Sequence, residues 1–273
     1  MNRFGGRLGS TPPVVLNLLI INVLLYFGTS LLARSGVDLI NSLALYYPGS
    51  DMFRPYQIIT HMFMHGSITH LFFNMFALWM FGKALESVWG SGRFFIYYFV
   101  TGIGAAILHT SVLWLQMGSV SADAQALINT ISPEGFAMFL KENFPAYQSR
   151  LSGFITQWMD MPQNSQYVLQ AESYIQDLLN LKLNVPTVGA SGAVFGVLLA
   201  FGMLFPNTRL VLLFPPIPIK AKWFVIAYGL IELFSGISNR AGDNVAHFAH
   251  LGGMIFGFIL IKYWNKTRRN NFY

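Results

Sequence analysis

The sequence predicts an all-α polytopic membrane protein with six membrane-spanning helices. Three observations indicate this fold class: 54% of the 273 residues are hydrophobic, only 10% are charged, and apolar runs long enough to cross a bilayer recur along the chain. Cysteine is absent, so neither disulfides nor thiolate metal sites stabilise the fold. The formal charge of +6 comes from basic residues that flank the apolar runs, which indicates membrane topology rather than binding to nucleic acid.

Apolar length defines the spans. The first run is interpreted as an uncleaved span, because it is longer than the apolar region of a typical signal peptide and no A-x-A cleavage site follows it. The six predicted spans are Val14–Leu32, Thr69–Trp89, Phe94–Leu115, Val188–Phe205, Trp223–Ile237 and Val245–Trp264.

A long, more polar insertion separates the third and fourth spans. In this segment, Gln116–Asn184, two stretches carry apolar residues at helical spacing. We expect short amphipathic helices that lie on the membrane surface or on the core. A second soluble domain is disfavoured, because the segment is too short to build a good core of its own.

The distribution of lysine and arginine predicts the orientation. With the N-terminus inside, the inside segments hold 11 basic residues and the outside segments 6, or 3 without the insertion. The beginning of the fourth span then lies near the outer face. The expected organisation is a cytosolic N-terminal segment (residues 1–12), spans one to three (13–115), an extracytoplasmic amphipathic insertion (116–184), spans four to six (185–264) and a basic cytosolic tail (265–273).

The fourth span begins with the sequence VGASGAVFG, Val188–Gly196, which places Ser191 in its first turns. Gly192 and Gly196 are one turn apart and Ala200 follows, so one helix face is bare and lets another helix approach closely. A serine there could be one more small packing residue. It becomes a candidate nucleophile only if a base lies nearby.

Strongly polar residues within the spans are functional candidates, because they are costly in lipid. His70 and Asn74 are four residues apart on the second span and share a helix face. On the sixth span, His250, Gly253 and Gly257 share one face, so a histidine lies where glycines let a neighbouring helix come close.

Together these residues could perform acyl transfer. If the small-residue faces of the fourth and sixth spans dock, His250 can take the proton of Ser191 and return it to a leaving amine. The side chains of His70 and Asn74, with the backbone N–H of Ser191, can donate to the oxyanion. This set needs no acidic residue. His247 is the weaker candidate for the base, because it has no glycine partner on its face.

Three motifs resemble those of the rhomboid intramembrane serine proteases. They are GASG (Gly189–Gly192), AHLGGMIFG (Ala249–Gly257, matching A-H-x-x-G-x-x-x-G) and HGSITHLFFN (His65–Asn74, matching H-x(4)-H-x(3)-N). They lie in the right order on spans two, four and six, and the resemblance covers residues 14–264 apart from the insertion. The family has a W-R pair in its first external loop. Here Phe53-Arg54 lies near that place, so the tryptophan is missing.

The resemblance implies a six-helix rhomboid-like bundle with a Ser–His dyad at the bottom of a water-filled cavity open to the outside. Ser191 would be the nucleophile and His250 the base, and His70 and Asn74 would line the oxyanion hole. The residues expected to support the site structurally are Gly189, Gly192, Gly253, Gly257 and His65.

The expected function is therefore intramembrane serine proteolysis at the bacterial plasma (inner) membrane. The resemblance implies substrates that are single-span membrane proteins, cut near the outer membrane face, without a cofactor. No metal site is expected, since H-E-x-x-H is absent and no carboxylate lies near the histidines of the second span. Glu232, within the fifth span, is expected to hydrogen-bond a neighbouring helix.

The sequence leaves two alternative functions to consider. The first is a non-catalytic rhomboid-like protein that binds transmembrane clients. The presence of both Ser191 and His250 counts against it. The second is a transporter or channel, which would show inverted repeats and charged pairs at the midplane, and the sequence has no repeat and almost no midplane charge.

Overall fold

The computed structural model describes residues 10–211, 216–238 and 245–269. Four helices within these ranges are long and apolar enough to cross a membrane: Pro13–Ala33, Ile68–Trp89, Ser91–Asn129 and Ala221–Ser238. A shorter apolar helix, Ser191–Leu204, lies among them. The chain is therefore a mostly helical integral membrane protein.

In the described ranges the chain forms twelve α-helices, a 3₁₀ turn at His61–Phe63 and one small hairpin. A π-helical turn, Leu78–Gly82, joins α4 to α5, and the strands β1 and β2 pair antiparallel. The elements are α1 (Pro13–Ala33), α2 (Leu39–Leu43), α3 (Gln57–Thr60), α4 (Ile68–Ala77), α5 (Lys83–Trp89), α6 (Ser91–Asn129), α7 (Pro133–Asn143), α8 (Pro145–Asp160), α9 (Ser165–Leu183), α10 (Ser191–Leu204), β1 (Arg209–Val211), β2 (Pro218–Lys220), α11 (Ala221–Ser238) and α12 (His247–Arg269).

Some predicted features lie outside the described residues. These are most of the N-terminal segment and the end of the basic tail, residues 270–273. Three of the basic residues counted for the orientation, Arg3, Arg7 and Arg240, also lie there. The part of the tail that is described does not form a separate segment. It continues α12 as far as Arg269, because no glycine or proline interrupts the helix there.

The third predicted span differs most from its helix. We expected the span to end at Leu115, but α6 continues to Asn129. The additional turns are amphipathic: Met117, Val120, Ala124 and Leu127 recur at helical spacing and are all buried. The helix ends at Asn129, shortly before the proline that begins α7.

The segment of residues 116–184 has a hydrophobic core of its own, contrary to the expectation of separate amphipathic helices. Helix α8 was not predicted, and its Trp158 is fully buried beside Phe136 of α7. Helices α7, α8 and α9 each turn one apolar face inward and cover the amphipathic end of α6. The segment forms this core despite its length because four helical stretches within it, the end of α6 and helices α7, α8 and α9, each bury one apolar face against the others. The buried residues are Val120, Ala124, Leu127, Phe136, Phe139, Leu140, Phe144, Ile155, Trp158, Ala171, Ile175 and Leu178.

A buried carboxylate fixes the beginning of α1. Glu86 of α5 accepts hydrogen bonds from the backbone N–H groups of Val14 (3.0 Å) and Val15 (2.8 Å), and from the hydroxyl of Ser91 (2.7 Å). The first N–H groups of a helix have no partner within the helix, and a negative charge there is favourable. Glu86 therefore connects the beginnings of α1 and α6 at a distance from the candidate site.

Glycines let α10, α12 and α6 pack with their backbones in contact. A Cβ added at Gly253 of α12 would overlap the carbonyl oxygen of Gly192 in α10, and a Cβ at Gly192 would overlap Ala105 of α6. Gly196 approaches α6 in the same way, with Thr101 Cβ 2.6 Å from an added Cβ. The small-residue faces predicted to dock on each other therefore also pack against α6.

Helix α6 is held against the other two helices by a hydrogen bond in the core. Tyr97 of α6 is fully buried, and its hydroxyl donates to the carbonyl of Gly196 at 2.8 Å. The same hydroxyl occupies the space that a side chain at Gly257 would need. These contacts fix α10 and α12 against α6 one to two turns below Ser191 and His250.

Candidate active site

The segment that leads into α10 is tied to two loops. The backbone groups of Thr187 and Leu45 exchange hydrogen bonds at 2.8 and 2.9 Å, and the N–H of Gly189 donates to the carbonyl of His61 at 2.9 Å. Gly189 has φ 129°, a conformation that L side chains rarely adopt. The chain then turns into α10, with half-buried Ser191 as its first residue.

Ser191 and His250 are in direct contact. The Nε2 atom of His250 lies 2.8 Å from the Oγ atom of Ser191. His250 is buried in the first turn of α12, and the close approach of Gly253 to Gly192 brings the two helix ends together. An imidazole at this distance can accept the hydroxyl proton of the serine.

A phenylalanine covers one face of the His250 ring. Phe195, one turn after Ser191 on α10, stacks on His250 with ring centroids 4.1 Å apart and an interplanar angle of 5°. Phe195 also contacts Tyr228 of α11, with centroids 5.4 Å apart. The stack limits rotation of the imidazole. Sequence reasoning missed Phe195, although its position four residues after the serine puts it on the same helix face.

The second nitrogen of His250 meets a carboxylate. Glu232 of α11 is buried, and its Oε2 atom lies 2.8 Å from His250 Nδ1 and 2.6 Å from His247 Nδ1. The expected hydrogen bond from Glu232 to a neighbouring helix is thus made to α12. Sequence reasoning assigned it no part in the site. The available signal was a carboxyl within an apolar helix, which is costly unless it has partners.

One of the two predicted oxyanion donors, His70, lies close to Ser191. A Cβ added at Gly189 would be 2.8 Å from His70 Cε1 and 3.5 Å from Ser191 Oγ, so one small space separates the imidazole from the hydroxyl. Asn74 is buried one turn further along α4. Its side-chain amide donates one hydrogen bond to the carbonyl of His70, at 3.0 Å, and has a second N–H.

The side chain of His65 contacts that of His70. The two rings meet edge to face with centroids 5.1 Å apart. His65 is buried, and neither of its ring nitrogens has a hydrogen-bond partner among the residues that the structure describes. A small cavity next to Ser191 is bounded by Met62, Gly102 and Ala249.

Glu232, His247 and His250 could also be considered as metal ligands, because one atom from each lies within 4.8 Å of the others. The N···O distances of 2.6 and 2.8 Å are those of hydrogen bonds. Ligand atoms around a tetrahedral zinc ion lie about 3.3 Å apart, given metal–ligand distances of about 2.0 Å. The observed arrangement is therefore that of a hydrogen-bonded network.

Comparison with known proteins shows where this chain belongs. The model of the rhomboid domain matches residues 52–122 and 136–266. Over 210 residues, 77% of this chain, the sequence is 26% identical to Rhomboid protein 1, mitochondrial, of Saccharomyces cerevisiae, covering 42% of that protein. Over 52 residues, 19% of this chain, it is 42% identical to Rhomboid protease GluP of Bacillus subtilis, covering 10% of that protein.

A third relative comes from a plant. Over 101 residues, 37% of this chain, the sequence is 32% identical to RHOMBOID-like protein 6, mitochondrial, of Arabidopsis thaliana, covering 32% of that protein. The matches thus span less than half of the length of each relative. Because the family model covers most of the chain, the conclusion is plain: this protein belongs to the rhomboid family.

Proposed function

We propose that this protein is an intramembrane serine endopeptidase, with Ser191 as the nucleophile and His250 as the general base. The observation that carries the proposal is the 2.8 Å contact between Ser191 Oγ and His250 Nε2. Serine is a weak nucleophile without an adjacent base, and here the base lies at hydrogen-bond distance. A relative whose name includes the word protease adds support.

The proposed reaction has two steps. Ser191 Oγ attacks the carbonyl carbon of the scissile bond while its proton passes to His250 Nε2, and His250 then gives that proton to the leaving amine as the C–N bond breaks. Water next attacks the resulting ester and transfers a proton to His250. The C–O bond to Ser191 breaks, and His250 returns the proton to the serine.

The oxyanion formed in each step needs donors on the side of the carbonyl opposite the base. We assign this role to the side chains of His70 and Asn74 and to the backbone N–H of Ser191. The N–H groups of the first helical turn have no acceptor within the helix, so the N–H of Ser191 is available to a ligand. His65 would support the ring of His70 through their edge-to-face contact.

The proposal includes a membrane arrangement. Helices α1, α4–α5, α6, α10, α11 and α12 would be the six spans, with both termini in the cytosol of a bacterium and residues 116–184 outside the inner membrane. The 14 residues of α10 extend about 21 Å, less than the ~30 Å of a hydrocarbon core. With the C-terminal end of α10 at the cytosolic boundary, Ser191 would lie about 10 Å below the outer boundary.

The proposed substrates are single-span membrane proteins. A membrane helix hides its carbonyl groups in hydrogen bonds, so the substrate must unwind locally before Ser191 can attack. A serine at this proposed depth would cut near the outer end of the substrate helix. Single-span clients that bind without being cut are the alternative.

Product mapping tests this function. The purified protein in detergent is mixed with a model single-span substrate, and the products are identified by mass spectrometry. We expect one main cut in the outer third of the substrate helix, and no product from the Ser191→Ala variant. Binding without cleavage by the wild-type protein would favour the non-catalytic alternative. Equal cleavage by Ser191→Ala would contradict the role of Ser191.

A further inference from the structure

We propose that Glu232 is the positioning residue for the catalytic base, so that the site is a Ser191–His250–Glu232 triad rather than a dyad. This inference rests on the proposed function. It adds an acidic partner that the three sequence motifs do not contain, supplied by α11. The proposed role has two parts: the carboxylate selects the tautomer of His250, and it stabilises the imidazolium that forms while His250 holds the proton of the serine.

The tautomer follows from the two contacts of the His250 ring. A neutral imidazole carries one N–H, and its other nitrogen is the acceptor. To take the proton of Ser191, Nε2 must be the acceptor, so the hydrogen must be on Nδ1. An ionised carboxylate only accepts hydrogen bonds, and the Oε2 atom of Glu232 lies 2.8 Å from Nδ1. Glu232 therefore favours the one tautomer in which Nε2 faces the serine as a base.

The orientation of Glu232 is fixed in turn by His247. The Nδ1 atom of His247 lies 2.6 Å from the same Oε2 atom. The oxygen is held between two imidazoles that are one turn apart on α12 and cannot turn away from His250 without breaking the second hydrogen bond. His247 thus acts on the carboxylate and has no contact with Ser191 in the hydrogen bonds described.

The electrostatic part follows from burial. Glu232 is 6% exposed and His250 is 8% exposed, so little water screens the charge of the carboxylate. When His250 takes the proton, a positive ring lies 2.8 Å from a negative oxygen in a largely apolar surrounding. A charge-assisted hydrogen bond of this kind is about twice as strong as a neutral one. It strengthens only when the proton moves, so it lowers the barrier rather than binding the substrate.

The carboxylate and the aromatic stack hold the ring in different directions. Glu232 restrains the Nδ1 edge, and Phe195 restrains one face, with the two rings nearly parallel at 5°. Tyr228, one turn before Glu232 on α11, contacts Phe195 from the same side. Helix α11 therefore acts on the base directly through Glu232 and indirectly through the contact of Tyr228 with Phe195.

The test compares Glu232→Gln and Glu232→Asp with the wild type in steady-state cleavage of the model substrate. Glutamine can present an N–H to Nδ1, which favours the wrong tautomer, and it has no negative charge in either orientation. We expect Glu232→Gln to lower kcat by about 10²- to 10⁴-fold and to change KM by less than about threefold. Aspartate keeps the charge on a side chain shorter by one methylene, so Glu232→Asp should keep more activity than Glu232→Gln.

The matched control is Glu86→Gln, the same change at a buried glutamate far from the site. It should lower thermal stability, because Glu86 receives three hydrogen bonds, but kcat per folded molecule should stay within about twofold of the wild type. A purely structural role for Glu232 predicts this same pattern at position 232, and that result would overturn the inference.

Three further outcomes would also overturn it: a wild-type kcat for Glu232→Gln, a Glu232→Asp variant no better than Glu232→Gln, or wild-type activity that a chelator removes and added Zn²⁺ restores. If Glu232→Gln is not recovered folded, Glu232→Asp is compared with the wild type instead. The expected result is then a lower kcat with KM little changed. Failure of the proposed function itself looks different, because the wild-type protein would then bind the substrate without cutting it, or cleavage would persist in Ser191→Ala.

Discussion

Replacing His250 with alanine is expected to lower kcat for substrate cleavage by about 10⁴- to 10⁶-fold, with little change in KM. The imidazole lies 2.8 Å from Ser191 Oγ, and nothing else in the described hydrogen bonds of Ser191 can accept the proton. Without the ring, the serine must attack as a neutral alcohol and the leaving amine must depart without an acid. Steady-state kinetics in detergent, with folding checked by thermal denaturation, measures the effect.

The matched variant is His247→Ala, one turn earlier on the same helix. His247 bonds to the shared Glu232 oxygen and has no hydrogen bond to Ser191 among those described, so we expect a loss of no more than about tenfold. Equal losses in the two variants would mean that the base has been assigned to the wrong histidine. A His250→Ala variant with wild-type kcat would contradict the mechanism.

Replacing Gly253 with valine is expected to impair both stability and activity. Even a Cβ at this position would overlap the carbonyl oxygen of Gly192, so α12 must move away from α10. Overpacking of a close interface typically costs about 1–3 kcal/mol. The movement also lengthens the contact between Ser191 and His250, and a misplacement of about 1 Å can lower the rate by about 10²-fold.

The control for this change is Gly28→Val in α1, where an added Cβ has no neighbour within 4 Å. We expect this variant to denature at the same temperature as the wild type within a few degrees and to cleave the substrate at a similar rate. Thermal denaturation and kcat/KM of both variants are compared in the same detergent. If Gly253→Val behaves like Gly28→Val, then close backbone contact is not what holds the serine against the histidine.

Much of the site could be predicted because its chemistry is encoded locally. The motifs that contain Ser191 and His250 also contain the glycines that bring their helices together, so nucleophile, base and docking faces can be read from short stretches. The same motifs predicted the rhomboid family, which the family comparison confirms. The roles of His70 and Asn74 in the oxyanion hole stay predictions.

Glu232 and Phe195 could not be placed in the site from sequence. A carboxyl within an apolar helix signals that a partner exists, but its identity depends on how α11 is rotated and where it sits against α12. Neither the period nor the composition of α11 determines that rotation. Phe195 was on the predicted face, yet whether an aromatic ring stacks on a histidine or packs elsewhere depends on distances of a few ångströms between two helices.

The core of residues 116–184 was missed for a different reason. The two stretches with clear helical spacing are too few to enclose a core, so the sequence alone did not indicate one. Here Val120, Ala124 and Leu127 of the continued α6 helix supply part of the core, and α8 brings Trp158 to its centre. The apolar pattern shows neither that α6 continues past Leu115 nor that α8 forms.

Covalent labelling of the serine tests the central claim most directly. A fluorophosphonate reacts when a serine Oγ attacks phosphorus, forming an O–P bond as the P–F bond breaks, with the serine proton taken up by the base. In the wild-type protein we expect one adduct, located on Ser191 by mass spectrometry, and a rate of labelling that falls by at least about 10²-fold in His250→Ala. An adduct on another residue, or equal labelling of Ser191 in the two proteins, would contradict the account.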